Sequence, residues 1–215
     1  MKNFLLNCLD WIYKKKCYFC GKSNESVKMC SKCFEKINLL EPKVNRVINN
    51  SNIYACTIYE QEIQKLIRGL KYHRQKDLAH YAAKIMFEYC KDIFDDAKFQ
   101  VVPVPISEKR KKKRGYNHME LVTDEFCIMT GYTKNTELIK RIKDTKPQYG
   151  LKRTKRMLNL KDAFFIEKSK YIENTPILLL DDICTTGSTF ESIIFELNKN
   201  NIYNITCLAL STVGE

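Results

Sequence analysis

Residues 177–189 read Ile177-Leu178-Leu179-Leu180-Asp181-Asp182-Ile183-Cys184-Thr185-Thr186-Gly187-Ser188-Thr189, and this stretch decides the fold. The opening apolar run has no polar alternation, as expected of a strand buried on both faces of a parallel sheet. Phe190, Ile193, Ile194 and Leu197 follow at helical spacing. A tight turn between strand and helix exposes backbone N–H groups, and the helix N-terminus adds the positive end of its dipole. Gly187 permits positive φ and a close ligand approach. The hydroxyls of Thr185, Thr186, Ser188 and Thr189 supply further donors. Such a turn suits a phosphate dianion. Two carboxylates at the carboxyl end of a strand suit the hydroxyls of a cis-diol. A Gly-x-x-x-x-Gly-Lys-Ser/Thr loop and a Gly-x-Gly fingerprint are both absent. A plain helix-capping turn would explain the Ser and Thr but not the second acid or the run of hydroxyls.

Outward from this stretch, strand-like and helix-like segments alternate. Ile53–Ile58, Phe99–Val104, Ala163–Ile166 and Ile205–Leu210 read as strands. Ile63, Leu66, Ile67 and Leu70 make one face of a helix, residues 78–94 a second, and Met119, Val122, Phe126 and Met129 a third. The order implies an α/β domain with a mainly parallel sheet flanked by helices. Residues 1–16 predict a short amphipathic helix with Leu5, Leu9 and Ile12 on one side. Residues 41–52, with Pro42 and several Asn, predict a linker. The organisation expected is an N-terminal module over residues 1–45 and an α/β domain over 46–215.

The chain has 215 residues, enough for one sizeable core and a small appendage. Its formal charge of +12 favours anionic partners, although a solvated basic surface gives the same count. The apolar run Phe4-Leu5-Leu6 is too short for a membrane span. Of ten cysteines, four cluster as Cys17-x-x-Cys20 and Cys30-x-x-Cys33. Two such knuckles complete a closed tetrahedral Zn²⁺ shell with no open position for catalysis. A redox pair would not need the second knuckle. The scattered remainder shows no disulfide framework, which fits a reducing, cytoplasmic setting.

Val101-Val102-Pro103-Val104-Pro105 ends a strand, and Lys109-Arg110-Lys111-Lys112-Lys113-Arg114-Gly115-Tyr116-Asn117 follows. Consecutive cations are either solvated, set against nucleic acid, or facing a smaller anion. A loop of this composition would cover a pyrophosphate, with the Arg114 guanidinium aimed at phosphate oxygens. Between Arg141 and Phe164, the residues Arg141, Gln148, Arg153 and Arg156 are further candidates for a phosphate or a base, or they are helix-surface charge.

The stretch at 177–189 resembles the motif of type I phosphoribosyltransferases that binds 5-phosphoribosyl 1-diphosphate (PRPP): apolar residues, an acidic pair, two residues, then Thr-Thr-Gly-x-Thr. Further elements narrow the resemblance to the ComF family, and they occur in its order along nearly the whole chain. These are Leu70-Lys71-Tyr72, Pro103-Val104-Pro105, Arg114-Gly115-Tyr116-Asn117, then Arg141, Gln148, Leu151, Arg156, Asn159 and Phe164, the Asp181-Asp182 loop, and the cysteine ribbon. The family often has Gln where this chain has His118, which receives no role.

The resemblance implies a type I phosphoribosyltransferase fold preceded by a zinc ribbon. It gives Asp181 and Asp182 to the ribose hydroxyls and Thr185 through Thr189 to the 5-phosphate. Pro103 and Val104 join the PRPP-binding set, and Mg²⁺ rides on the pyrophosphate. Lys71, Arg114 and the Lys109–Lys113 run stabilise the leaving group of a phosphoribosyl transfer. It implies a role in DNA uptake during natural transformation, with single-stranded DNA and a competence helicase as partners and a homodimer as the assembly. A PRPP sensor without catalysis, a DNA- or helicase-binding adaptor, and a salvage phosphoribosyltransferase unrelated to competence stand as alternatives.

Overall fold

The computed structural model describes residues 16–22, 28–94, 97–143 and 163–213. In chain order these hold α1 (Ser31–Phe34), β1 (Arg46–Ile48), β2 (Ser51–Ile58), α2 (Gln61–Tyr72), α3 (Leu78–Cys90), β3 (Gln100–Pro103), α4 (Glu108–Arg114), α5 (His118–Thr130), β4 (Thr133–Lys134), β5 (Ile139–Arg141), β6 (Phe164–Ile166), β7 (Ile177–Cys184), α6 (Ser188–Lys199) and β8 (Ile205–Thr212). The helix expected over 1–16, and Gln148, Leu151, Arg153, Arg156 and Asn159, lie outside the described residues save for Lys16.

Six strands form one sheet in the order β1-β2-β8-β7-β3-β4. Every pairing in it is parallel except that of β1 with β2. The α/β class with a mainly parallel, helix-flanked sheet is thus observed. Strand alternation sends side chains to two cores. Tyr54, Leu178, Leu180, Leu208 and Leu210 pack with α2, α3 and α5. Ile53, Ala55, Ile177, Leu179 and Ala209 pack with α6 and with the antiparallel β5–β6 pair. Ile177 through Leu180 are fully buried, as a central strand requires. The helical stripes also hold: Ile63, Leu66, Ile67 and Leu70 are buried on α2, and Phe190, Ile193, Ile194 and Leu197 on α6.

Two expectations are corrected. Residues 41–52 are not simply a linker. Asn49 and Asn50 take φ of 47° and 63°, the left-handed pair that closes a two-residue hairpin, and so pair β1 with β2. The basic run is a helix rather than a loop. The Ser107 side chain accepts from the Arg110 N–H at its start, and Gly115 ends it with φ of 86°.

The cysteine module sits against α2. Lys65 Nζ donates to the Phe19 carbonyl at 2.7 Å, and Tyr18 Oη meets His73 Nδ1 at 2.6 Å. Gly69 makes this seat possible, because a Cβ there would lie 2.5 Å from Leu78 Cδ1 and 3.2 Å from Tyr18 Cε1.

Candidate functional site

The carboxyl ends of β7 and β3, the start of α6 and the end of α2 meet at one edge of the sheet. Here Asp181, Ile183, Cys184, Thr185 and Gly187 through Phe190 line a small concavity of about 40 Å³. Gly187 takes φ of 78°, the positive value expected of it, and immediately precedes the first residue of α6. Thr186 Oγ1 and Ser188 Oγ lie 2.7 Å apart across it. Arg46 of β1 clamps the turn from outside by donating to the Thr186 carbonyl. Val104 N–H donates to the Leu180 carbonyl at 2.9 Å, which fixes the end of β3 beside the acidic pair. Pro103 and Val104 are themselves buried, and Val104 is part of the second core.

The two carboxylates have different surroundings. Asp181 lines the concavity. Burial, and then the negative charge of Asp182, push its carboxyl up to about 7, while Lys71 pulls the other way. Asp182 is met by Lys71 Nζ, which lies 2.6 Å from Oδ2, and by His118 Nε2 on the same oxygen. Burial opposes its ionisation, but the Lys71 ammonium and then the His118 contact outweigh that and hold the carboxyl far below the usual range. Asp182 is therefore an anion that already has partners, whereas Asp181 gains or loses a proton near neutrality.

The cations reach this point from two elements. Lys71 stands in the last turn of α2. Arg114 ends α4, lies with Cζ 5.9 Å from the Tyr72 ring centre, and has Nη1 2.7 Å from His118 Nδ1. Tyr116 Oη donates to the Leu70 carbonyl at 2.7 Å and so ties the α4–α5 junction to the end of α2. Lys109, Lys111, Lys112 and Lys113 are exposed on α4. The structure thus gathers Lys71, Arg114, Asp181, Asp182 and Thr185 through Thr189 at one edge.

Two residues of this edge were not singled out from the sequence. Arg46 lies inside the stretch 41–52 expected as a linker, and the Asn49-Asn50 pair is the signal that marks it as a strand residue. His118 carries no role in the sequence reading. Asn117 is the signal there: its side chain accepts from the Met119 N–H and donates to the Val104 carbonyl, which makes His118 the first residue of α5 at the site.

Cys17, Cys20, Cys30 and Cys33 bring their sulfurs within 4.8 Å of one another. The Cys17–Cys33 and Cys20–Cys30 separations are 3.9 Å each. A tetrahedron with metal–sulfur bonds of about 2.3 Å has edges of about 3.8 Å, so the group fits a thiolate-bound metal ion. Burial resists ionisation of Cys17, but the backbone N–H groups of Cys20, Cys30 and Phe19 outweigh it and bring the thiol down to about 6. The other described cysteines are free thiols. Among the described residues no helix is long and apolar enough to cross a membrane.

No protein-family model matches the sequence. Curated relatives do. Competence protein F of Haemophilus influenzae is 24% identical over 204 residues, covering 91% of this chain and 89% of that protein. The DNA utilization protein YhgH of Escherichia coli K12 is 25% identical, covering 87% and 79%. Competence protein ComFC of Bacillus subtilis is 24% identical, covering 80% and 67%. Among solved structures, an adenine phosphoribosyltransferase from Thermoanaerobacter pseudethanolicus aligns with a TM-score of 0.39 at 12% identity, over 65% of this chain and 83% of that one, a likeness too slight to bear weight. By sequence, over at least 80% of its length, the chain is a homologue of competence protein F, ComFC and YhgH.

Proposed function

We propose that the chain binds PRPP with Mg²⁺ as a ComF-type, phosphoribosyltransferase-like protein, and that it serves the handling of DNA during natural transformation. The observation that carries the reading is the turn at 185–189 with Asp181 beside it at the carboxyl end of a parallel strand. The N–H groups of the turn and of α6 would take the 5-phosphate, with the hydroxyls of Thr185, Thr186, Ser188 and Thr189 around it. Asp181 would accept from a ribose hydroxyl in its ionised form, and Asp182 would accept from the other. Lys71 and Arg114 would face the diphosphate and stabilise charge as the glycosidic C–O bond breaks. The diphosphate would bring Mg²⁺ with it, and the ion would spread the negative charge of the leaving group. The residues themselves do little proton transfer; they orient the donor and neutralise its charge. The names of the relatives, a competence protein and a DNA utilization protein, support the DNA-handling part. The four-cysteine group would hold a structural Zn²⁺.

Calorimetry with PRPP and Mg²⁺ tests the reading. Binding should be seen with the wild type and be lost in the Asp181→Asn/Asp182→Asn variant while its circular dichroism is retained. A wild type that does not bind PRPP overturns it. Release of pyrophosphate with a panel of bases and nucleic acids decides between turnover and a sensor.

A second reading is favoured by the surface of α4. Its exposed lysines share a helix with Arg114, whose guanidinium lies over Tyr72, a ring 70% exposed, and cations beside an aromatic face suit single-stranded nucleic acid. Oligonucleotide titration at two salt concentrations should show affinity falling steeply with salt. Absence of binding at the lower salt removes this reading.

A further inference from the structure

His118 is 3% exposed and lies where α2, α4 and β7 converge. Its two ring nitrogens have unlike neighbours. Nδ1 is 2.7 Å from Arg114 Nη1. A guanidinium can only donate, so the nitrogen facing it must present a lone pair. The ring proton then belongs to Nε2, the atom that meets Asp182 Oδ2. Lys71 Nζ falls on that same oxygen.

The charged groups around the ring agree with this arrangement. Lys71 from α2 and Arg114 from α4 both oppose a proton on it, as does burial, and only Asp182 from β7 favours one. Burial is the largest effect and keeps the imidazole below its ordinary range. The start of α5 adds the positive end of a helix dipole.

We propose that His118 is a positioning residue: a neutral imidazole that accepts from Arg114 and donates to Asp182, so that one ring fixes both the guanidinium at the diphosphate end of the site and the carboxylate at the ribose end. The role rests on the PRPP-binding reading above. It explains how the basic helix, which lies apart from β7 in sequence, is held in register with the acidic pair. It also predicts what can replace the ring. A carboxamide has one acceptor and one donor and carries no charge, so Gln can serve both partners. Leu fills the space and serves neither.

Two measurements test the proposal. In the wild type, long-range ¹H–¹⁵N spectra of His118 at neutral pH should show a protonated Nε2 and a bare Nδ1. In Arg114→Met that preference should weaken. An imidazolium, or a proton on Nδ1, overturns the proposal, and this arm needs no PRPP. In calorimetry with PRPP and Mg²⁺, His118→Leu should lose at least about tenfold in affinity, the result of leaving buried polar partners unmet. His118→Gln should stay within about threefold of the wild type. Equal losses for Leu and Gln, with both proteins folded, overturn it. A wild type that binds no PRPP but shows the Nε2–H tautomer defeats the ligand reading and leaves the ring's role as a link between Arg114 and Asp182 standing.

Discussion

At Asp181 the sign of a stability effect can be worked out. Its carboxyl is pushed up to about 7 in the folded chain, above the ordinary carboxylate range of the unfolded one. Between those values the folded state holds the extra proton, so stability falls as pH rises and the penalty is complete above about 7. Asp181→Asn should therefore raise Tm by a few degrees at pH 8 and scarcely at all at pH 4, while abolishing PRPP binding. Paired thermal melts and calorimetry check both halves. In the wild type, PRPP affinity should rise from pH 6 to pH 8 as this carboxyl ionises. Lys71 has the opposite character. Lys71→Met leaves the anion of Asp182 with His118 alone in a buried place, and should destabilise by on the order of 3 kcal/mol. Denaturant melts should show most of that loss recovered in Lys71→Met/Asp182→Asn. The acidic pair was legible in sequence because its place after an apolar strand is a local pattern. The partners of Asp182 were not, because α2 and α5 bring them from far along the chain.

At the scale of elements, the turn between β7 and α6 depends on one residue without a side chain. A Cβ at Gly187 would stand 3.0 Å from Ile48 Cδ1 and 3.2 Å from Arg46 Nη1, and φ of 78° strains any other residue. Gly187→Ala should cost about 1–2 kcal/mol from backbone strain alone and weaken PRPP binding more than tenfold. Melts and calorimetry on the same preparation check this. The helices and central strands were read correctly from apolar spacing because tertiary packing uses those same stripes. The short elements escaped for want of such a stripe. β1 has three residues and one buried side chain, and α4 buries none, so only their end signals, Asn49-Asn50 and Ser107 with Gly115, mark them.

For the whole molecule, the cysteine group and the acidic pair lie at separate places, yet both bear on α2, through Lys65 and Lys71. The four-cysteine group was plain in sequence because the spacing of its two Cys-x-x-Cys units is a local property. Its docking was not, because Tyr18 and Phe19 read only as spacers between two ligands. Metal analysis should find one zinc per chain. Removal by a strong chelator should lower Tm, since the thiolate cluster stabilises only the folded form. Unchanged melting after complete removal would deny the cluster a structural part.

The empty space at residue 69 carries a consequence for how the chain can change. Gly69 lies under Tyr18, which stands between Cys17 and Cys20, and two positions before Lys71, which meets Asp182. A single methyl group there would press on the Leu78 side chain and on the Tyr18 ring against which the cysteine module sits. Gly69→Ala should loosen zinc, seen as faster transfer to a chelator, and at the same time weaken PRPP binding. Two modules that look separable in the sequence are mounted on one turn of helix, so neither can drift in shape without dragging the other.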